Sequence, residues 1–392
     1  METIVFAGAA RTPQGKFGGR LSSLTAPELA AVAIRAAVER SGLAPEDVDY
    51  VILGNVLSAG LGQAPARQAA LLAGIPPTAS AMLVNQVCAS GMMAIAVAAH
   101  MVQSGMAKVV VAGGMESMSR APHLLMTMRN GVRFGSAELV DSLVSDGLTC
   151  AIEHQHMGDA AEAIAAKHGV TRAEQDAFAL RSHQRALAAT AGGVFASEIV
   201  PVEVTLGRER SIVATDEGPR ADTSPEALAR LRPAFKGDGS VTAGNASQIS
   251  DGAAAVVVTT AVAAREKGAN VMGRMLAATY AGIEPKWLFD APVGAAQRLM
   301  AATGLGLADF DRIEVNEAYA AQTVANGKVL GWDWDRVNTH GGAIALGHPI
   351  GASGARILVT LLHTLQAEGL RRGAALICHG GGGAAAMAVE RS

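Results

Sequence analysis

Short apolar runs alternate with longer stretches of helical periodicity along most of the chain. Residues 4–7 and 253–258 are continuous apolar runs of the kind found in buried strands. Residues 28–40 are Ala-rich and space their apolar side chains as a helix does. Strands that alternate with helices in this way are typical of parallel β-sheets covered by helices. The pattern therefore predicts an α/β protein.

The same order of elements occurs twice. Residues 42–53 align at a constant offset with residues 304–315, and each copy follows an Ala-rich helical stretch and ends in an apolar strand. Weaker matches pair residues 5–13 with 276–282, and residues 108–114 with 374–380. Because the matches keep the same order, they favour a duplicated α/β unit.

The stretch between the two copies differs in character. Residues 119–249 hold much of the clustered charge and several histidines, and Thr171 with Glu174 forms a capping box that predicts a helix start. An insertion of this kind over an α/β core is suited to substrate binding. We expect an N-terminal half at residues 1–118, whose closing strand returns at about 250–268. A loop domain at residues 119–249 and a C-terminal half at residues 269–392 complete the division.

Composition narrows the class of protein. Half of the residues (50%) are hydrophobic but only 4% are aromatic, so the core must consist of small, closely packed side chains. The net charge of -3, from 32 basic and 35 acidic residues, gives no general attraction to nucleic acid. The 3 cysteines are too few for a disulfide framework, and we expect no targeting signal at either end. Since no apolar run is long enough to span a membrane, we expect a soluble, cytoplasmic protein.

Cys88 lies where a short apolar strand leads into an apolar helix. A cysteine at a helix N-terminus meets the positive end of the helix dipole and unpaired N–H groups, which lower the pKa of a thiol. This placement predicts a nucleophile. The alternative is a small, inert, buried thiol.

His348 lies between Gly347 and Pro349, in a Gly-rich segment that runs into another helix. An imidazole has an ordinary pKa near 6.5, which suits proton transfer near neutral pH. The alternative is a loop histidine whose role is structural.

Cys378 ends the last long apolar run and is followed by His379 and four glycines. Glycines let the backbone N–H groups approach a ligand closely, as in an oxyanion hole. Asn316 follows a strand of the second copy, where side chains of α/β sheets reach the ligand crevice, although a capping role is the simpler alternative. No GK[ST] sequence follows the glycines, which argues against a phosphate-binding loop. No second ligand pair occurs at zinc spacing, so we expect no metal site.

Taken together, these segments resemble the thiolase family of acyl-CoA condensing enzymes over essentially the whole chain. The resemblance is carried by residues 85–91, 316–318, 347–351 and 378–383 in the family's order. Three segments of the insertion also resemble the family's loop domain: residues 156–158, 232–235 and 242–247.

The resemblance implies a fold and a chemistry. The fold consists of two βαβαβαββ halves in a five-layered α/β/α/β/α core with an inserted loop domain. The reaction is a reversible Claisen condensation of two acetyl-CoA molecules, or thiolysis of a 3-ketoacyl-CoA, through an acyl-Cys88 intermediate. His348 would accept the Cys88 proton, and Asn316 would hold a water beside it. Cys378 would exchange a proton with C2 of acetyl-CoA, while the N–H groups of Cys88 and Gly380 bind the oxyanion.

The resemblance also implies a site for coenzyme A, which is a substrate; no tightly bound cofactor is expected. The positions carried over are Leu148, His156, Met157, Arg220, Phe235, Ala243, Ser247 and Ala318. Three positions depart from the family's usual residues. Leu288 stands where short-chain thiolases often have Met, Tyr319 where Phe is common, and Cys150 where an acid is frequent. Leu288 and Tyr319 therefore leave the acyl chain length open, while Cys150 is expected to be a packing residue.

Two alternatives remain open at this level. A decarboxylating ketoacyl synthase, or a hydroxymethylglutaryl-type synthase, shares the fold but does not need a thiol at Cys378. A non-catalytic acyl-CoA-binding protein would not need Cys88 or His348. The family resemblance further implies a homo-oligomer, either a tetramer or a dimer.

Overall fold

A computed structural model describes residues 2–206 and 209–392. The strands are β1 (Ile4–Arg11), β2 (Gly15–Lys16), β3 (Tyr50–Gly54), β4 (Ser80–Val84), β5 (Val109–Ser117), β6 (His123–Leu124), β7 (Val140–Asp141), β8 (Thr149–Cys150), β9 (Gln155–His156), β10 (Val202–Leu206), β11 (Glu209–Val213), β12 (Ser250–Thr260), β13 (Val271–Gly282), β14 (Arg312–Val315), β15 (Arg372–His379) and β16 (Gly383–Arg391). The α-helices are α1 (Ala26–Ser41), α2 (Pro65–Leu72), α3 (Ser90–Gln103), α4 (Met157–His168), α5 (Arg172–Ala191), α6 (Pro225–Ala229), α7 (Ala261–Lys267), α8 (Ala291–Thr303), α9 (Ala320–Leu330), α10 (Ala343–Leu346) and α11 (Ile350–Ala367).

The long strands of both halves form one sheet, in the order β14-β15-β16-β13-β1-β12-β5-β3-β4, with β2 paired to β12. Antiparallel pairing of β1 with β13 joins the two halves. The parallel arrangement predicted from the sequence is only partly correct. Strands β3, β4 and β5 pair in parallel, but β12 is antiparallel to both β1 and β5. In the second half β15 and β16 are joined by a tight turn, which requires antiparallel pairing.

The halves stack as the predicted five layers. Helices α3 and α11 lie in the middle, where their side chains and the inner faces of both half-sheets share one apolar core. Helices α1 and α2 cover the outer face of the first half, and α8 covers the outer face of the second. Alanine and valine dominate these cores, and α3 packs so closely on α11 that a Cβ on Gly91 would lie 2.9 Å from the Ala355 nitrogen. Small side chains therefore set the spacing of the central layer.

The internal duplication is confirmed in detail. Helices α1 and α8 both end at a left-handed glycine, Gly42 and Gly304, and each is followed by a short 3-10 turn and a parallel strand. The copies differ at one strand. Where the first half has β4, the described part of the second half has a single bridge between Ile313 and Val337.

The segment between β5 and β12 carries three short hairpins and helices α4, α5 and α6, and it contains a π-helical turn at Leu143–Leu148. The capping box predicted at Thr171 and Glu174 is present at the start of α5. Of the helices within residues 2–206 and 209–392, none combines the length and apolar character needed to cross a membrane.

Candidate active site

One cavity of about 280 Å³ lies where both halves meet the inserted segment. The sequence-predicted residues that line it are Cys88, Leu148, His156, Met157, Phe235, Ser247, Ala318, His348, Cys378 and Gly380. The fold thus brings together residues that are far apart in the sequence.

Cys88 lies on a sharp turn between β4 and α3. The preceding Val87 has a φ of 48°, a left-handed conformation that a β-branched residue rarely adopts. Ser90 holds this turn, because its hydroxyl donates to the Val87 carbonyl at 2.6 Å and accepts from the Gln86 N–H at 2.8 Å. The strained turn presents the Cys88 side chain to the cavity.

The pKa of Cys88 moves in the direction opposite to the sequence-based expectation. Burial raises the pKa of the thiol to about 12, although the N–H groups of Gly380 and of Cys88 itself act to lower it. The helix-dipole argument predicted a lowered pKa and was wrong in sign, because the loss of hydration outweighs the N–H groups. The resting Cys88 is therefore a thiol that needs a base.

His348 is fixed in the turn between α10 and α11. Gly347 before it has a φ of 116°, and a Cβ there would lie 2.3 Å from the Ser250 hydroxyl. The His348 N–H donates to the Gln248 carbonyl at 3.0 Å. Its imidazole Nδ1 lies 2.5 Å from the Ser353 hydroxyl, and the side chain is buried. Only glycine fits the turn that places this imidazole at the cavity.

The His348 imidazole does not titrate near neutral pH as expected from its ordinary value. Burial, together with the positive charge of Arg356, lowers the pKa of His348 to about 3. The reason is physical: a buried imidazolium loses its hydration and meets a like charge. At neutral pH, His348 is a neutral imidazole with a lone pair available for a proton.

Cys378 lies near the end of β15, where it pairs with Ala384 of β16. The residue is buried, and burial raises the pKa of its thiol well above the usual range, with a further contribution from the nearby Cys88. The turn between the two strands uses glycine at left-handed positions, since Gly381 and Gly382 have φ values of 83° and 91°. This turn directs the Gly380 N–H at the Cys88 sulfur.

Asn316 follows β14 and is fully buried behind the cavity. Its Nδ2 lies 3.4 Å from His348 Nε2, which is a long, weak hydrogen bond. Its Oδ1 has no hydrogen-bond partner among the described residues. The capping alternative does not hold, because the N-cap of α9 is Tyr319.

The predicted coenzyme A residues fall into two groups. His156 and Phe235 stack at 4.9 Å and, with Leu148 and Met157, form an apolar wall of the main cavity. Arg220 and Ala243 do not line that cavity. They line a second cavity of about 120 Å³, which shares Gln248 with the first.

Of the three residues that differ from the family's usual ones, two line the main cavity and one does not. Leu288 and Tyr319 both line the main cavity beside the two thiols. Tyr319 also contacts Phe289 at 5.5 Å between ring centroids. Cys150 is buried in β8, where its sulfur accepts from the Glu153 N–H at 3.4 Å, and it does not line the cavity.

Sequence reasoning missed several residues that line the cavity. They are Met118, Gly147, Ala246, Gln248, Ile249, Phe289, Ile350 and His379. The recognised motifs could have indicated some of them, since Ile350 lies within residues 347–351 and His379 within residues 378–383. Met118 lies just beyond β5 and carries no local signal. Within the described ranges, no group of three or more His, Cys, Asp or Glu residues is arranged to hold a metal ion.

A duplicated α/β fold whose central cavity holds two thiols, an imidazole and a backbone N–H aimed at sulfur defines a thiol-dependent acyl-transfer class of protein. Comparison with known proteins is more specific. Residues 4–262 match the family described as "Thiolase, N-terminal domain", and residues 269–391 match "Thiolase, C-terminal domain". The chain belongs to the thiolase family.

Relatives match over full length. The chain is 50% identical over 392 residues to an acetyl-CoA acetyltransferase of Pseudomonas aeruginosa, with 100% of both chains covered. It is 49% identical over 392 residues to an acetyl-CoA acetyltransferase of Escherichia coli, again with 100% of both covered. The crystal structure of the Bacillus anthracis acetyl-CoA acetyltransferase superposes with a TM-score of 0.98 at 42% identity. That alignment covers 100% of this chain and 99% of the other. These likenesses confirm the predicted thiolase fold.

Proposed function

We propose that the chain is an acetyl-CoA C-acetyltransferase, which condenses two acetyl-CoA molecules to acetoacetyl-CoA and CoA and runs the reverse thiolysis. The observation that carries the proposal is the meeting of Cys88, His348 and Cys378 at one cavity. A reaction with both an acyl-transfer step and a carbon–carbon bond step needs a nucleophile and a separate acid/base.

In the first half-reaction Cys88 attacks the thioester carbonyl of acetyl-CoA. His348 takes the thiol proton as the sulfur–carbon bond forms, and returns it to the departing CoA thiolate. Because the pKa of Cys88 is raised to about 12 and that of His348 is lowered to about 3, the resting pair is neutral. Proton transfer therefore accompanies the attack. The N–H groups of Cys88 and Gly380 stabilise the oxyanion.

In the second half-reaction the Cys378 thiol passes its proton to the neutral His348, and the resulting thiolate takes the C2 proton of a second acetyl-CoA. The enolate attacks the acetyl group on Cys88, the new carbon–carbon bond forms, and the Cys88 sulfur leaves as a thiolate that takes the proton held on His348. His348, with a water held by Asn316, polarises the thioester oxygen of the enolate. Burial keeps the resting Cys378 protonated, so its thiol holds the proton that returns to carbon in the thiolysis direction.

Coenzyme A reaches the thiols through the inserted segment, residues 119–249. Phe235, His156, Met157 and Leu148 enclose the pantetheine, and Ser247 and Ala318 line the same cavity. Arg220 and Ala243, which line the adjoining smaller cavity, belong to the outer, nucleotide end of the molecule. An arginine suits that end because coenzyme A carries phosphates there. Coenzyme A acts here as a substrate, with no tightly bound cofactor.

The chain acts in fatty acid metabolism in the cytoplasm and assembles as a homo-oligomer, most simply a tetramer. The hairpin of β6 and β7 supports self-association. Between these strands lie large apolar side chains that a monomer leaves in water, among them Met126 (72% exposed), Met128 (64%) and Phe134 (99%). Exposed apolar patches of this kind mark protein contacts.

The decisive assay follows products from acetyl-CoA alone. The proposal predicts acetoacetyl-CoA and free CoA without release of CO2, and thiolysis of acetoacetyl-CoA when CoA is added. A requirement for malonyl-CoA with CO2 release would indicate a decarboxylating synthase. Tight acyl-CoA binding without turnover would indicate a non-catalytic binding protein. A series of 3-ketoacyl-CoA substrates from C4 to C16 then measures chain length, which Leu288 and Tyr319 leave open.

A further inference from the structure

The imidazole of His348 has a close hydrogen-bond partner outside the cavity. Ser353, in the first turn of α11, places its hydroxyl 2.5 Å from His348 Nδ1. Ser353 is 1% exposed and does not line the cavity, so it does not meet substrate. Its influence on the reaction must pass through His348.

The contacts of the Ser353 hydroxyl determine which ring nitrogen carries the proton. The hydroxyl oxygen lies 2.9 Å from the Pro349 carbonyl oxygen, which can only accept a hydrogen bond. A serine has a single O–H donor, and a hydroxyl in a helix commonly donates it to the carbonyl four residues earlier. With that donor used, the hydroxyl can only accept from His348. Nδ1 must then carry the hydrogen.

The contact on the other side of the ring is compatible with this tautomer. Nε2 faces Asn316 Nδ2 at 3.4 Å, and an amide NH2 is a donor. A donor opposite Nε2 requires that Nε2 hold a lone pair rather than a hydrogen. Because this contact is long, the lone pair stays available for a proton from the cavity side. The Ser353 contacts therefore select the Nδ1–H tautomer, and the Asn316 contact agrees with it.

We propose that Ser353 is a positioning residue that holds His348 in the Nδ1–H tautomer, with the basic Nε2 directed to the thiol and its substrate. The proposal rests on the proposed function of His348 as the base for Cys88. In the opposite tautomer, Nε2 would present a hydrogen to the thiol and could not accept its proton. When Nε2 does accept that proton, the Nδ1–H bond to Ser353 becomes charge-assisted and stabilises the imidazolium.

The tautomer of His348 can be determined by spectroscopy, without an activity assay. Protein labelled with ¹⁵N at its histidines gives a solid-state nitrogen spectrum, in which His348 is assigned as the signals lost in His348→Gln. In the wild type we expect Nδ1 to be protonated and Nε2 to be unprotonated at neutral pH. A protonated Nε2 in the wild type would overturn the proposal, whether or not the chain proves to be a thiolase.

Kinetics of Cys88 acetylation by acetyl-CoA give the second readout. We expect Ser353→Ala to slow acetylation roughly tenfold to hundredfold, the loss typical when the hydrogen-bond partner of a metal-bound histidine is removed, with KM unchanged within about twofold. Ser353→Thr keeps the hydroxyl and should restore most of the rate. Ser353→Ala with an unchanged rate and an unchanged nitrogen spectrum would contradict the proposal.

The matched control lies on the same helix. Thr364 contacts His340 Nδ1 at 3.3 Å in another hydroxyl–imidazole pair, away from the cavity. Thr364→Ala should therefore leave both the acetylation rate and the His348 signals unchanged; an equal slowing would assign the effect to α11 packing and overturn the proposal. Loss of acetylation in His348→Gln tests the base itself. Full activity in that variant would refute the role of His348 as the base. The nitrogen spectrum of the wild-type protein would still report the His348 tautomer.

Discussion

Gly158, in the first turn of α4, leaves the space that the Phe235 ring occupies. A Cβ added at Gly158 would lie 2.3 Å from three carbons of that ring, whereas ordinary contact begins at 3.4 Å. The ring must therefore move by at least about 1.1 Å. It cannot do so alone, because it stacks on His156 and meets the edge of Tyr319 at 6.2 Å between centroids. All three rings line the cavity, so the displaced ring takes up the space where we propose that pantetheine binds.

We therefore expect Gly158→Ala to raise the KM for acetyl-CoA about tenfold, equivalent to about 1.4 kcal/mol of binding. The acetylation rate at saturation should stay within about threefold, because Cys88 and His348 do not contact the altered site. Overpacking of this kind also costs about 1–3 kcal/mol of stability, which a melting curve would register.

Gly237 provides the control, since a Cβ there meets nothing within 4 Å and its φ is not in the left-handed region. Gly237→Ala should match the wild type in KM, rate and melting temperature. An unchanged KM in Gly158→Ala would refute the placement of Phe235 at the substrate. An equal rise in both variants would show that the effect is not steric.

Three further predictions concern protonation, assembly and specificity. Burial lowers the pKa of His348 to about 3 from an unfolded value near 6.5, so below pH 6.5 the unfolded chain binds a proton that the native chain does not. Between pH 7 and 5, urea unfolding of the wild type should thus lose about 2 kcal/mol more than that of His348→Gln; a parallel loss would show that His348 is not buried as a neutral imidazole. Replacing the exposed Met128 and Phe134 by Glu should reduce the particle mass in light scattering, with Lys108→Glu as a surface control, and an unchanged mass would exclude this hairpin from the interface. Tyr319→Phe removes a polar group from the acyl end and should raise kcat/KM for 3-ketohexanoyl-CoA relative to acetoacetyl-CoA; an unchanged ratio would place the hydroxyl away from the acyl chain.

Much of the fold could be predicted from the sequence because the signals were local. The paired segments around Gly42 and Gly304 share a helix end, a short turn and a strand, and those features depend on nearby residues alone. The capping box at Thr171 is a signal of the same kind. Pairing of β1 with β13 has no such signal, since it depends on how two complete halves pack.

The chemistry of the site could also be predicted only in part from the sequence. Motifs singled out Cys88, His348 and Cys378, which all line one cavity, but the direction of the Cys88 pKa shift could not be read from them. A helix start is visible in the sequence, whereas the depth of burial is a property of the assembled fold and here has the larger effect. Ser353 was missed for a related reason: its contact with His348 depends on the geometry of the turn.

The central claim is that Cys88 and Cys378 perform separate steps at one cavity, and Cys378→Ser tests it most directly. The measurement is the intact mass of the protein after mixing with acetyl-CoA, followed by peptide mapping, alongside the rate of acetoacetyl-CoA formation. We predict one acetyl group on Cys88 in Cys378→Ser at close to the wild-type rate, with condensation lost, and no acetyl group in Cys88→Ala. Equal loss of acetylation and condensation in Cys378→Ser would contradict the division of roles.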